Sequence, residues 1–416
     1  MNVKVYPKVY KTNETQVVNV RFSSAVEGDV FVKVQPMEKY LLPHTPVVYR
    51  IDEEERYPFE KAEKTADGYA LSYAFQGEQK YSVTVKIGDE KFVTHVYAVE
   101  KDYQKLRPMK GDTHLHSNRS DGALSPFDVA CAYRKSAYDF IAVTDHHRYF
   151  PSLEAKKEVE ELTSAFTVFP GEEVHNRDMG YFHIVNFGGN ASVNDWIEAD
   201  QNRTHAEVLK IVNEREYPEG VDAYALAYRI MVERKIHEYG GLAIMAHPYW
   251  DVYGEYHMPT EETEFIWREG KYDAVELLAG NDENGNGDNL FLSLWEELRT
   301  EGKKIPVVGA SDFHSFEHYN RFNRSFTVVL AESADEIKEA IKDERSVAVQ
   351  RSTQTLFGVF GRFRAVKYVR FLMDEYYPEY ELLTARHGEA MQKKDTVALL
   401  KIEKEIKRFQ AEFFAV

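Results

Sequence analysis

Two histidines one residue apart open the chemistry of this chain. In Gly-Asp-Thr-His-Leu-His-Ser-Asn-Arg-Ser-Asp-Gly, residues 111–122, His114 and His116 alternate. Alternate side chains of an extended strand share a face, so both imidazoles point the same way. Asp121 follows, with Gly122 behind it to permit a tight turn. Two imidazoles and a carboxylate begin a mixed nitrogen/oxygen metal site, although alternating histidines also occur on solvated strands.

Matching groups recur along the chain. Thr144-Asp145-His146-His147 ends an apolar run, and Gly171-Glu172-Glu173 follows another. His183 lies inside residues 181–185, His247 closes residues 241–248, and Asp312 and His314 come just after Val307-Val-Gly-Ala-Ser311. Each falls on or beyond an apolar strand, where parallel α/β folds gather their active-site groups. His, Asp and Glu are scarce in strand cores unless paired or ligated, so chance explains such repetition poorly.

The elements that must position these groups begin near residue 106. Apolar runs at 139–144, 167–170, 182–186, 241–246, 274–278 and 305–309 alternate with helical stretches. Ser125 before Pro126 is a helix N-cap, and Ser152 reads as the next. The alternation indicates parallel strands, as a barrel or a doubly wound sheet. Cys131 shares an apolar stripe with Phe127 and Ala130 and belongs to the core. Residues 188–239, with helices at 204–214 and 222–239, are too long for a simple crossover; they read as an insertion forming a lid or a pocket wall.

Residues 1–105 differ. Runs at 3–6, 16–22, 28–34 and 81–86 alternate with turn residues between them, which predicts a small antiparallel sandwich of immunoglobulin type, an accessory domain. Residues 351–416 read as a helical C-terminal extension. There Leu399, Ile402, Ile406, Phe409 and Phe413 form one apolar stripe that docks on its own domain.

Composition bounds the partners. Lys plus Arg is 52 against 69 for Asp plus Glu, a formal charge of -17 over 416 residues. That argues against a nucleic-acid polymer or an anionic membrane as main partner. A small phosphorylated substrate stays compatible, because bound cations reverse the local field. The one cysteine excludes a disulfide framework and a thiolate metal cage. No apolar run spans a membrane and the first residues are no signal peptide, so the default expectation is cytoplasmic. The oligomeric state is left open.

The series Asp112-Thr-His114-Leu-His116, Ser120-Asp121-Gly122, Thr144-Asp-His146, Gly171-Glu-Glu173, His183, Ala246-His247-Pro248 and Ser311-Asp312-Phe-His314 resembles the PHP (polymerase and histidinol phosphatase) family over roughly residues 108–350. Within it, Asp273-Ala-Val-Glu-Leu-Leu278, the Asn-rich residues 281–289, Trp295 and residues 311–314 resemble the CehA/McbA-like branch, named after carbaryl hydrolase. The resemblance implies a metallohydrolase barrel over residues 106–350, a distorted (β/α)7 barrel with three divalent metals at the C-terminal strand ends. By that resemblance the first metal takes His114, His116, Glu173 and Asp312. The second shares Glu173 and adds His183 and His247. The third takes Asp121, His146 and His314; some members carry His where this chain has Asp121. Glu172 competes with Glu173 for the bridging role, and the family's Gly-x-Glu spacing favours Glu173, leaving Glu172 supporting or solvated.

A site of imidazoles and carboxylates suits two or three ions of Zn, Mn or Fe without discriminating among them. A bridging carboxylate holds two cations close enough to share a hydroxide, whose parent water falls in pKa from near 16 to roughly 7. The resemblance implies that Glu173 and Asp312 are catalytic as well as ligating. Asp112 and Asp145 either orient imidazoles or are ordinary turn residues. His147, with His175 and His257, is a candidate proton donor to a leaving group. Arg119, Arg148 and Arg177, with Arg321 and Arg324, are candidates to hold a dianion. Tyr249, Trp250, Tyr253 and Tyr256 either wall a pocket or pack a loop. The expectation is a metal-dependent phosphoesterase acting on a small monoester or diester. The alternatives are a hydrolase of a carbamate, ester or amide, and a non-catalytic binding protein, against which the full ligand set speaks.

Overall fold

Alternating β-branched and aromatic residues make the first hundred residues a series of strands. A computed structural model describes residues 1–38, 57–175, 183–252, 254–280, 286–316, 322–352 and 357–414. Arg177, Tyr253 and Arg321 lie outside the described residues, as do 281–285 of the Asn-rich stretch. The chain divides into two units: Met1–Leu106 with Lys367–Tyr380 and Lys404–Val416, and Arg107–Val366 with Glu381–Glu403.

In the first unit the strands are β1 (Val3–Tyr6), β2 (Val9–Lys11), β3 (Thr15–Phe22), β4 (Val30–Pro36), β5 (Glu60–Lys61), β6 (Glu63–Thr65), β7 (Gly68–Ala74), β8 (Gln79–Ile87) and β9 (Glu90–Val99). They form two sheets, ordered β1-β3-β7-β6 and β2-β9-β8-β4-β5. The pairing is antiparallel except for β2 beside β9. Val18, Val20 and Leu71 of one sheet meet Val32, Val83, Val85 and Val96 of the other in one core. The period-2 alternation places these residues there. Lys8, nearly buried, is neutralised by Glu375 at 2.7 Å and donates to Thr94 Oγ1 at 2.6 Å.

The second unit is a mixed α/β fold. Its strands are β10 (Arg107–Leu115), β11 (Phe140–Val143), β12 (Thr167–Phe169), β13 (Gly171–His175), β14 (His183–Phe187), β15 (Leu242–Met245), β16 (Asp251–Val252), β17 (Glu255–Tyr256), β18 (Ala274–Ala279), β19 (Val307–Ala310), β20 (Ser325–Ala331), β21 (Ser346–Arg351) and β22 (Phe357–Gly361). Two larger sheets run β12-β11-β10-β20-β21-β22 and β13-β14-β15-β18-β19. Bridges at Leu115↔Phe313 and His146↔Glu173 link them. The expected parallel pairing holds for β10-β11-β12 and β15-β18-β19. It fails for β13-β14-β15 and β10-β20-β21-β22, which are antiparallel. Too few residues separate His175 from His183 for a crossover helix, so those strands must run opposite ways.

The helices of this unit begin with α1 (Pro126–Lys135), capped by Ser125 Oγ accepting from Asp128 N at 3.1 Å. Cys131 is buried on it. Helix α2 spans Phe150–Glu160 and starts before Ser152, which is therefore not its cap. Ser152 Oγ instead donates to Tyr149 O at 2.7 Å and accepts from Gly171 N at 2.9 Å, tying the first turn to β13. Pro151 in that turn explains the earlier start, since a fixed φ suits the first helical positions. The stretch expected as an insertion folds as α3 (Val193–Ala199), α4 (Gln201–Val212) and α5 (Ala223–Glu238), capped by Ser192, Asp200 and Asp222. Val193, Ile197, Val208 and Leu226 join the same core as Ile184 of β14 and Met245 of β15. The helices α6 (Thr260–Glu269), α7 (Asn286–Thr300) and α8 (Ile337–Lys342) follow.

After β22 come α9 (Phe363–Glu375), α10 (Tyr377–Gln392) and α11 (Thr396–Phe413), whose residues are shared between the two units. The stripe Leu399, Ile402, Ile406, Phe409 and Phe413 of α11 is buried throughout. No helix among the described residues is long and apolar enough to cross a membrane.

Candidate metal centre

Strand alternation decides which way the acidic pair on β13 faces. Glu172 and Glu173 are neighbours, so their side chains leave opposite faces, and both are fully buried. Glu172 accepts from Asn186 Nδ2 (3.0 Å), Ser192 Oγ (2.8 Å), Val193 N (2.5 Å) and Asn194 Nδ2 (2.9 Å), anchoring the start of α3. It is not solvated. Burial raises its pKa even against those donors.

Glu173 faces the histidines. His146 Nδ1 and His183 Nδ1 each lie 2.7 Å from its oxygens, His114 Nε2 3.3 Å, His116 Nε2 3.5 Å and His247 Nε2 3.6 Å. Yet neither Glu173 oxygen accepts an aligned hydrogen bond among the described residues. Burial alone would raise its pKa, but the charges of His183, His146 and His114 outweigh that and hold the carboxylate well below its usual range.

The other donors close the group. Asp312 Oδ1 lies 3.0 Å from His116 Nε2 and 3.4 Å from His114 Nε2, and those two nitrogens are 3.1 Å apart. His183 Nδ1 and His247 Nε2 are 3.3 Å apart. At the outer edge Asp121 Oδ2 lies 3.3 Å from His314 Nε2 and 3.7 Å from His146 Nε2. Donor atoms gather into sets of His114, His116 and Glu173; of His114, His247 and Asp312; of Glu173, His183 and His247; and of His116, Asp121, His146 and His314. Ligands around a tetrahedral zinc, about 2.0–2.1 Å away, sit about 3.4 Å from each other. The observed spacings of 2.7–3.7 Å bracket that, and nitrogen–nitrogen approaches of 3.1 and 3.3 Å are what a shared cation accommodates. The residues fit divalent metal ions. All nine residues expected as ligands thus come together.

Local sequence explains the placement. His116 leaves the end of β10, and its backbone N–H donates to Phe313 O at 2.8 Å. Gly122 lies against that turn; a Cβ there would meet His116 O at 2.7 Å, so close approach rather than φ requires the glycine. His147, His247 and Asp312 have φ of 57°, 23° and 47°. Such left-handed backbone costs of order 1–3 kcal/mol per non-glycine residue and collects at functional sites. Asp112 and Asp145 do not hold imidazoles. Asp112 Oδ1 accepts from His114 N and Ser311 N at 3.1 and 3.2 Å, joining β10 to the end of β19. Asp145 accepts from the backbone and hydroxyl of both Ser117 and Ser120, fixing the loop that carries Asp121.

Protonation is divided within the cluster. Burial, then the charges of His314 and His146, push His116 down to about 3, and burial pushes His183 down to about 4. Burial also opposes a charge on His314, but Asp312 and Asp121 prevail and raise it to about 9. Neutral imidazoles are ready ligands, whereas His314 must lose a proton to become one.

Comparison with known proteins adds partial likenesses. No family model matches the chain. A stretch of 74 residues is 38% identical to the DNA polymerase/3'-5' exonuclease PolX of Bacillus subtilis, 16% of this chain and only 13% of that protein's length. Among solved structures, a two-domain protein of Bacteroides vulgatus, with a part predicted to be a PHP-like metal-dependent phosphoesterase, is 18% identical with a TM-score of 0.42, over 59% of this chain and 66% of that one. A Bifidobacterium adolescentis protein assigned as a metal-dependent phosphoesterase is 16% identical with a TM-score of 0.34, over 49% and 87%. A Chromobacterium violaceum amidohydrolase holding sulfate and no metal is 18% identical with a TM-score of 0.31, over 50% and 88%. These likenesses are partial; what the chain can do is decided by its own side chains.

The remaining candidates separate. Arg119 is held by Glu154 through Nη2 at 2.6 Å and Nε at 3.0 Å, and Arg148 donates to the Arg119 carbonyl, so neither guanidinium is committed to the cluster. His147 Nε2 meets His175 Nδ1 at 3.1 Å, and the His175 and His257 rings lie 4.3 and 4.6 Å from that of His183. These three imidazoles lie beside the clustered histidines without joining the donor sets. Tyr249 packs inward with its hydroxyl on Thr260, Trp250 lies 5.2 Å from the His247 ring, and Tyr256 is exposed. Sequence reasoning missed the role of Glu276 on β18, whose Oε1 lies 2.8 Å from His114 Nδ1. The signal was there: a lone carboxylate inside Ala-Val-Glu-Leu-Leu-Ala is costly to bury unless bonded.

Proposed function

We propose that this chain is a metal-dependent phosphoesterase of the PHP type, hydrolysing a small phosphate monoester or diester at a multinuclear site. The supporting observation is Glu173, a buried carboxylate with five imidazole nitrogens within 3.6 Å and no aligned hydrogen bond among the described residues. Glu173, His114, His116 and Asp312 would hold one cation, Glu173, His183 and His247 a second, and Asp121, His146 and His314 a third. Bound divalent cations supply an activated water and neutralise charge developing on the substrate. The protein's own part is to keep His116 and His183 neutral, to exclude water around Glu173, and to leave Asp121 and His314 at the open edge where substrate enters. Two linked sheets with helices between their strands support reading the second unit as a distorted (β/α)7 barrel. Two sheets over one core support an immunoglobulin-like first unit.

A second reading, hydrolysis of a carbamate, ester or amide, draws on a different observation. Arg119 is spent on Glu154, while Pro248, Tyr249, Trp250 and Phe291 give a largely apolar wall to a small cleft that His247, Glu276 and Asp288 also line. One assay separates the two. Protein reconstituted with Mn or Zn is offered p-nitrophenyl phosphate, bis-p-nitrophenyl phosphate and p-nitrophenyl acetate. Turnover of either phosphate ester is expected; hydrolysis of the acetate alone overturns the phosphoesterase reading.

A further inference from the structure

Glu276 stands apart from the donor sets, yet touches two of them. It sits within β18, every residue of which is buried, and is 1% exposed. Pairing of β18 with β19 shifts register between Glu276 and Leu278, an irregularity of the kind that re-aims a side chain. The two oxygens of Glu276 engage different segments, β10 and the turn after β15: Oε1 lies 2.8 Å from His114 Nδ1, and Oε2 accepts from His247 N at 3.1 Å.

We infer that Glu276 is a positioning residue that fixes the His114 tautomer and the His247 backbone together. This rests on the metal-centre reading above. With Oε1 accepting across that 2.8 Å contact, the hydrogen sits on His114 Nδ1. Its Nε2 then presents a lone pair toward Glu173 and Asp312, 3.3 and 3.4 Å away. The second oxygen holds the His247 amide where φ is 23°, a conformation the backbone adopts only under constraint. One carboxylate thereby sets a ligand in each of two neighbouring donor groups.

Glutamine at this position tests the idea, because both partners are donors. An amide offers one acceptor: if its oxygen keeps the His247 N–H, its NH2 faces His114 Nδ1. That selects the tautomer with hydrogen on Nε2, which cannot ligate. Zinc affinity is measured by chelator competition for wild type and Glu276→Gln, alongside the unfolding midpoint of each zinc-free protein. The expected result is a 10–100-fold loss of affinity, the usual effect of losing such a partner, with little change in the midpoint. Unchanged affinity and stoichiometry overturn the inference. If the variant does not fold, nitrogen-15 NMR of histidine-labelled, zinc-loaded wild type decides. A protonated Nδ1 on His114, identified by its loss in His114→Gln, supports the inference, and an unprotonated one overturns it. Wild type that binds no zinc defeats instead the metal-centre reading beneath it.

Discussion

Replacing Glu172 by glutamine isolates what the buried network behind the candidate centre contributes. Oε1 accepts from Asn186 Nδ2 and Val193 N, and Oε2 from Ser192 Oγ and Asn194 Nδ2, so both oxygens serve only donors. In Glu172→Gln one oxygen becomes an NH2: in place of Oε1 it faces two N–H donors, and in place of Oε2 it faces the Asn194 NH2 and the Ser192 hydroxyl, which can turn to accept. Hydrogen bonds to a charged group contribute about 1.5–3 kcal/mol each, so losing one or two costs about 1.5–6 kcal/mol. For a unit of this size that lowers the melting temperature by roughly 10 °C. Asn194 Nδ2 also donates to Glu173 O at 3.1 Å, so the loss reaches the strand that carries Glu173. Urea unfolding of wild type, Glu172→Gln and an exposed control, Glu160→Gln, measures the effect. A Glu172→Gln protein within about 0.5 kcal/mol of wild type, the range of ordinary surface changes, refutes the reasoning.

Two further outcomes follow from electrostatics. His387 is fully buried, with Nδ1 accepting from Arg134 Nε at 3.2 Å; burial, then Arg134, pushes it down to about 3. The unfolded chain takes this proton below about 6.5, so stability is lost as pH falls from there toward 3, by about 2 kcal/mol at pH 5. His387→Gln should shed that share of the acid sensitivity in urea melts at pH 7 and 5; an unchanged difference between the two pH values refutes it. At the outer donor group, His314 must give up a proton held up to about 9, so metal affinity there should climb as pH rises toward 9. Asp121→Ala should lower metal content by one ion and abolish that climb; full metal content in the variant contradicts the grouping.

Much of the site was legible because strand geometry and residue type agree. His114 and His116 alternate across the end of β10 and share a face, as period 2 demands. What escaped was of two kinds. Gly-Glu-Glu has no apolar alternation, so the sequence shows it only as the end of the apolar run before it; burial of both carboxylates by tertiary partners makes Gly171–His175 a separate strand, β13, paired antiparallel with β14. Arginines near ligand motifs in sequence are a poor guide to a substrate face, since a long flexible side chain goes to whichever carboxylate is nearest, as Arg119 goes to Glu154. Glu276 was overlooked for the opposite reason. Its strand is so apolar that core packing explains every residue except the one that matters to His114.

The central claim is that Glu173 is common to two metal positions. Elemental analysis of zinc-reconstituted wild type and Glu173→Gln, at equal protein concentration and after removal of free metal, tests it most directly. The account predicts two or three ions per wild-type chain and a loss of at least one in the variant. Wild type retaining no ion, or a variant retaining as many as wild type, would contradict it.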